Sequence, residues 1–212
     1  MLTKYFKKVA YLIFTFGFCV AQAGSYDDFF IAIRNDNAGV VADLLLRGFD
    51  PNTRDAKGQP GLTIAMREHS LKAARALLAQ TTLDVDALNQ AGESPLMMAA
   101  LKGDLTGLGL LLERGARIGQ PGWSAIHYAA TGPEPQAVRL LLDRGAEVNA
   151  ASPNGSTPLM MAAQYGPEAS VKLLLERGAD SKLRNQRELR AADFARLAGR
   201  ESLARMLEQL QR

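Results

Sequence analysis

The chain repeats itself, and the period decides what it can fold into. Ser94-Pro95-Leu96-Met97-Met98-Ala99-Ala100 returns as Thr157-Pro158-Leu159-Met160-Met161-Ala162-Ala163, with Ser124-Ala125-Ile126-His127-Tyr128-Ala129-Ala130 between them. A leucine block follows each: Leu110-Leu111-Leu112-Glu113-Arg114-Gly115-Ala116, Leu140-Leu141-Leu142-Asp143-Arg144-Gly145-Ala146 and Leu173-Leu174-Leu175-Glu176-Arg177-Gly178-Ala179. Weaker copies flank these, around Ala32, Ala65 and Ala195. The marker alanines Ala32, Ala65, Ala99, Ala129, Ala162 and Ala195 lie 33, 34, 30, 33 and 33 residues apart. One such unit cannot bury its apolar face alone, so successive copies must stack into a linear array.

Each unit reads as a helix pair. A Ser/Thr-Pro start supplies a hydroxyl cap and a first residue with no N–H to leave unsatisfied. Small alanines in the first helix let neighbouring units approach closely. Gly48, Gly115, Gly145 and Gly178 sit where a helix ends and a left-handed residue is wanted. The arginines before them, Arg47, Arg114, Arg144 and Arg177, suit the negative end of the helix dipole. Between units the chain turns at tips such as Pro153-Asn154-Gly155.

The period and the motifs resemble the ankyrin repeat, with its Thr-Pro-Leu-His-x-Ala-Ala and Leu-Leu-x-x-Gly-Ala signatures, over about residues 26–210. The resemblance implies an all-α solenoid of about six helix-turn-helix units joined by short β-turn hairpin loops. It divides the chain into an N-terminal capping repeat at 24–57, central repeats at 58–187 and a C-terminal capping repeat at 188–212. The end units carry polar outer faces, as terminal repeats must to stay soluble; Arg190, Arg196, Arg200 and Arg205 belong to that face in the last unit.

Residues 1–23 read as a cleavable secretory signal: Lys4, Lys7 and Lys8, an apolar stretch from Val9 to Val20, then Ala21-Gln22-Ala23 as the cleavage triplet. The apolar stretch is shorter than the roughly 20 residues a spanning helix needs, so no stable membrane insertion is expected once Gly24 becomes the first residue. Cys19, the only cysteine, lies within this segment, which suits an oxidising compartment and excludes a disulfide framework. The expected location is the periplasm or the exterior. The sequence pI is near 9.1, but without those three lysines the basic and acidic side chains balance at 22 each. No phosphate-binding surface is indicated, so nucleic acid is not an expected partner.

The expected chemistry is recognition, without catalytic residues, cofactor or metal. No nucleophile elbow, phosphate loop or dinucleotide fingerprint is present, and His69 and His127 are the only histidines. His127 occupies the signature histidine slot, which the resemblance makes a structural bridge between repeats. Met97 and Met160 replace that histidine in their units, and the methionine pairs are expected to pack in the core.

The expected function is a non-enzymatic, monomeric protein-binding scaffold. An accessory or protective regulator of an exported enzyme and a secreted host-directed effector are the alternatives. In ankyrin proteins partners contact the tips and the exposed face of the first helix. The residue after each tip glycine is expected to face out: Gln59, Glu93, Trp123 and Ser156. Trp123, the only tryptophan, follows a tip three residues shorter than the next one, and Gln120 belongs to the same tip. Trp123, Tyr128 and Tyr165 are expected to line one patch of the concave side. With Gln59, Glu93, Lys102 and Gln120 they are the candidate protein-binding residues.

Overall fold

The computed structural model describes residues 24–210; the expected signal segment and its expected cleavage triplet lie outside the described residues. Among the described residues twelve helices follow one another: α1 (24–34), α2 (Ala38–Leu46), α3 (Gly61–Arg67), α4 (Leu71–Leu78), α5 (Pro95–Lys102), α6 (Leu105–Glu113), α7 (Ala125–Thr131), α8 (Pro135–Asp143), α9 (Pro158–Tyr165), α10 (Glu168–Glu176), α11 (Ala191–Leu197) and α12 (Glu201–Gln209). They pair consecutively into six units. Odd-numbered helices stack on one another from α3 to α11 as an inner layer, and α2 to α10 stack behind them as an outer layer. No strand forms among the described residues; the tip loops contribute one isolated antiparallel bridge, Arg54 with Pro60.

Local chemistry sets these boundaries. Ser94 and Thr157 cap α5 and α9 by accepting from the Met97 and Met160 amides at 3.3 and 3.4 Å. The thioether sulfurs of the same methionines accept in turn from the Ser94 and Thr157 amides, both at 3.4 Å, so methionine performs part of the capping task of the histidine it replaces. Gly48, Gly115, Gly145 and Gly178 all have φ between 82° and 92°, and each closes its outer helix as expected.

The core follows the repeat. The alanines of the inner helices, Ala65, Ala99, Ala129, Ala162 and Ala195, are fully buried, as are Leu111, Leu141 and Leu174 of the outer helices. Met97, Met98 and Met160 are buried with them. The inner helices approach so closely at their C-terminal ends that a Cβ on Gly166 would lie 2.1 Å from the Ala130 carbonyl oxygen.

Two sets of arginines do more than expected. Arg114 donates to the Gln80 carbonyl at the end of α4, 2.8 Å away, and Arg177 pairs with Asp143 at 2.7 Å; both reach across to the preceding unit. Arg200, expected on a polar outer face, is half-buried. Its guanidinium donates to the carbonyls of Ala162, Ala163 and Gly166 at 3.1, 3.0 and 2.8 Å. It therefore closes the C-terminus of α9 from the next unit, satisfying carbonyls that a helix end leaves orphaned.

Candidate protein-binding surface

The tips share one construction. Asp55, Asn89, Ser152 and Asn185 each close a loop through a backbone bond from their own amide to the carbonyl four residues on, at 2.9–3.0 Å. The Asn89 and Asn185 side chains accept two further amides apiece. The residue three on is in the left-handed region in each: Gly58, Gly92, Gly155 and Glu188. In the fourth unit the corresponding residue is Gly119, which has no side chain to accept these amides.

A second series joins the loop bases. Asn52 Oδ1 accepts from the Asp84 amide at 2.8 Å, Asp86 Oδ1 from Arg117 at 2.9 Å, and Asn149 Oδ1 from Asp180 at 2.9 Å. Asn52 also donates through Nδ2 to the Thr82 carbonyl at 2.9 Å, and Asn149 to Gly178 at 3.5 Å. These rungs tie each loop to the next.

The candidate residues fall into two groups. Gln59, Glu93, Gln120 and Trp123 lie at the tips, whereas Lys102 and Tyr165 end α5 and α9 at the opposite end of the inner helices. That separation is about 10 Å along the helix axis at 1.5 Å per residue, so Trp123, Tyr128 and Tyr165 do not form the single expected patch. Tyr165 is 61% exposed, and Lys102 is exposed too. Tyr128 instead turns to the preceding unit, where its hydroxyl donates to Glu93 Oε1 at 3.1 Å. Burial, then the charge and hydrogen bond of Glu93, push its pKa up to about 12; the phenol stays protonated at working pH.

Three tip residues are less free than the sequence suggests. Glu93 accepts from Asn89 at 2.8 Å as well as from Tyr128, and Gln59 accepts from Asn89 and Arg67 at 3.4 Å. This network crosses three units and leaves both side chains half-buried. Ser156, expected outward, is buried and accepts from Asn185.

Trp123 is half-buried, and a packing reason for it exists. Its ring meets the His127 imidazole edge-on, with centroids 5.2 Å apart and planes at 78°. His127 Nδ1 sits 3.0 Å from Ser124 Oγ, while Nε2 faces the Ala150 and Ser156 carbonyls at 3.0 and 3.2 Å. Two carbonyl partners place the proton on Nε2, and the ring bridges to the fifth unit as the resemblance implied. Burial is the largest influence on its pKa and lowers it from 6.5, against the raising effect of those backbone partners. Gln120 Nε2 donates to the Trp123 carbonyl at 3.1 Å, standing in for the missing tip bond.

A notch lies beside the short loop. A cavity of about 400 Å³ lies between the fourth and fifth units, floored by Ile118, Ile126 and Ala150 and rimmed by Gly119 and Glu147. Among the described residues no cluster of three or more His, Cys, Asp or Glu side chains could hold a metal, and no helix is long and apolar enough to cross a membrane.

The family model for ankyrin repeats (3 copies) matches residues 29–121 and 118–185. The chain belongs to the ankyrin-repeat family. Among its relatives is the B-cell lymphoma 3 protein homolog of Mus musculus, 34% identical over 153 residues, 69% of this chain and 34% of that protein. A putative ankyrin repeat-containing protein of Treponema pallidum is 28% identical over 172 residues, 81% of this chain and 47% of that one. The chain thus spans less than half of either relative. Among solved structures, it superposes on a chain from the Bd0816 predatory endopeptidase of Bdellovibrio bacteriovorus in complex with immunity protein Bd3460. The TM-score is 0.74 at 25% identity, covering 86% of this chain and 97% of that one. The ankyrin-repeat protein described here has the architecture of a protein-binding module.

Proposed function

We propose that this ankyrin-repeat protein is a non-enzymatic scaffold that binds another protein in the periplasm or outside the cell, carried there by the signal read in residues 1–23. The observation that carries the binding role is the six-unit stack itself, which presents its tips and inner-helix ends as one extended surface. Lys102 and Tyr165 at the helix ends, and Gln120 and Trp123 at the short tip, are the contact residues we assign.

The structural neighbour favours a sharper version: a protective or regulatory partner of an exported enzyme. That neighbour is a complex of an endopeptidase with an immunity protein, and this chain covers 97% of the chain it matches. Cell fractionation followed by crosslinking in the native envelope tests both parts. The scaffold reading expects a soluble exported species whose intact mass begins at Gly24 and one dominant crosslinked protein, an enzyme in the sharper version. A species confined to the cytoplasm, or retaining residues 1–23 in the membrane, contradicts the export assignment.

A further inference from the structure

The ladder of side-chain rungs has one gap, and the notch lies at it. Counted from the glycine that ends the outer helix, Gly119 holds the rung position of Asn52 and Asn149; counted back from the tip glycine, it holds the loop-closing position of Asp55, Asn89 and Ser152. One residue without a side chain therefore stands where each neighbouring unit has two that bear one. The consequences lie on the facing loop. The Glu147 amide corresponds to those of Asp84, Arg117 and Asp180, each of which donates to a rung, yet it has no partner among the described residues. The Gly145 carbonyl corresponds to those of Thr82 and Gly178, which accept from the rung asparagines, and it too is unmet among the described residues. The exposed Glu147 carboxylate has neither hydrogen bond nor ion pair among the described residues. Glu147, with its amide donor and its carboxylate acceptor, thus lines a partly apolar notch of about 400 Å³, and the Gly145 carbonyl lies two residues before it in the chain.

We propose that the bound partner supplies the missing rung: an asparagine or glutamine side chain, on an extended segment of the partner protein, seated in this notch. The proposal rests on the scaffold reading and names the chemistry of its partner. A carboxamide meets both unmet groups at once, its oxygen accepting from the Glu147 amide and its nitrogen donating to Gly145 or to the Glu147 carboxylate. A partner carboxylate is repelled by Glu147. A lysine or arginine satisfies Glu147 but leaves the amide unpaired, which is costly once water is excluded. The apolar floor of Ile118, Ile126 and Ala150 accepts the stem and a neighbouring apolar residue.

The test uses a random linear twelve-residue peptide library displayed on phage and panned against the chain of residues 24–212. Affinities of the enriched peptides are then measured on the wild type, Gly119→Ala and Gly119→Asn. A Cβ at Gly119 meets nothing within 4 Å, so the alanine fits without displacing a neighbour; melting temperatures verify that both variants fold. The expected result is a fixed Asn or Gln in the enriched peptides and unchanged binding by Gly119→Ala. Binding by Gly119→Asn should fall at least about tenfold, because its own carboxamide fills the gap; tenfold corresponds to about 1.4 kcal/mol. Replacing the peptide carboxamide by Asp or Leu costs a similar factor. Peptides without a fixed carboxamide, or bound equally by Gly119→Asn, overturn the assignment of the notch and leave the scaffold reading standing. Failure to enrich any peptide overturns the notch as well, and the scaffold reading then depends on the envelope crosslinking alone.

Discussion

His127 is the residue where the stack is most exposed to acid. Its ring links the fourth unit to two carbonyls of the fifth, and its folded pKa lies below the unfolded value because burial disfavours the cation. The unfolded chain therefore binds this proton first as pH falls. The stabilisation is complete above the unfolded value of about 6.5 and is lost as pH descends from there toward the lower folded value. Melting temperatures measured between pH 7.5 and 5 should show this loss. His127→Met, which copies Met97 and Met160, should flatten that part of the profile; an unchanged slope would contradict the assignment. Trp123→Ala should lower the melting temperature modestly, by a stability loss of about 1 kcal/mol, because it removes an edge-on aromatic contact and uncovers the His127 bridge. The sequence could not show this packing role, since the contact depends on how the short loop returns across the ring.

At the scale of elements, Ser170 in α10 is the clearest imperfection. Its hydroxyl is fully buried and without a partner, at the position held by Ala73 in α4 and Ala137 in α8. Ser170→Ala should raise stability by about 1 kcal/mol, since a buried orphan hydroxyl carries an unrepaid desolvation cost; chemical denaturation measures it. Arg200 behaves in the opposite way. Arg200→Ala uncaps three carbonyls of α9 and should cost about 2 kcal/mol, within the range for hydrogen bonds to a charged group. Arg200→Lys should recover only part of it: all three carbonyls are met by the single Nη1, and the lysine ammonium is a more strongly hydrated group on a differently shaped stem. Helix limits, caps and the left-handed glycines were legible in the sequence because they are set within a few residues. The Arg200 cap was not, since its acceptors lie 34–38 residues away and an arginine in a terminal unit reads equally well as a solvated side chain. The rung series was hidden for the same reason: asparagines at loop bases look like ordinary turn residues until the loops are placed beside one another.

For the whole molecule, a stack in which each unit touches only its neighbours has graded stability. Ile31 of the first unit is 55% exposed, whereas its counterpart Ile64 in the second is fully buried. Native-state hydrogen exchange should accordingly show opening at the ends before the middle; uniform protection from Tyr26 to Leu210 would contradict it. The fold was readable because the period is imposed six times over. The binding surface was readable only in outline: the three-residue deletion marks the central tip from sequence, but whether Gln59 and Glu93 face a partner or each other's units depends on Asn89 and Tyr128. The most direct test of a binding scaffold focused on that central tip is site-specific photocrosslinking in living cells, with a photoreactive residue at Gln120 or, separately, at exposed Lys172 on the outer helix α10. One discrete protein adduct from position 120 and none from position 172 is the predicted result. No adduct from position 120, or equal adducts from both, would contradict it.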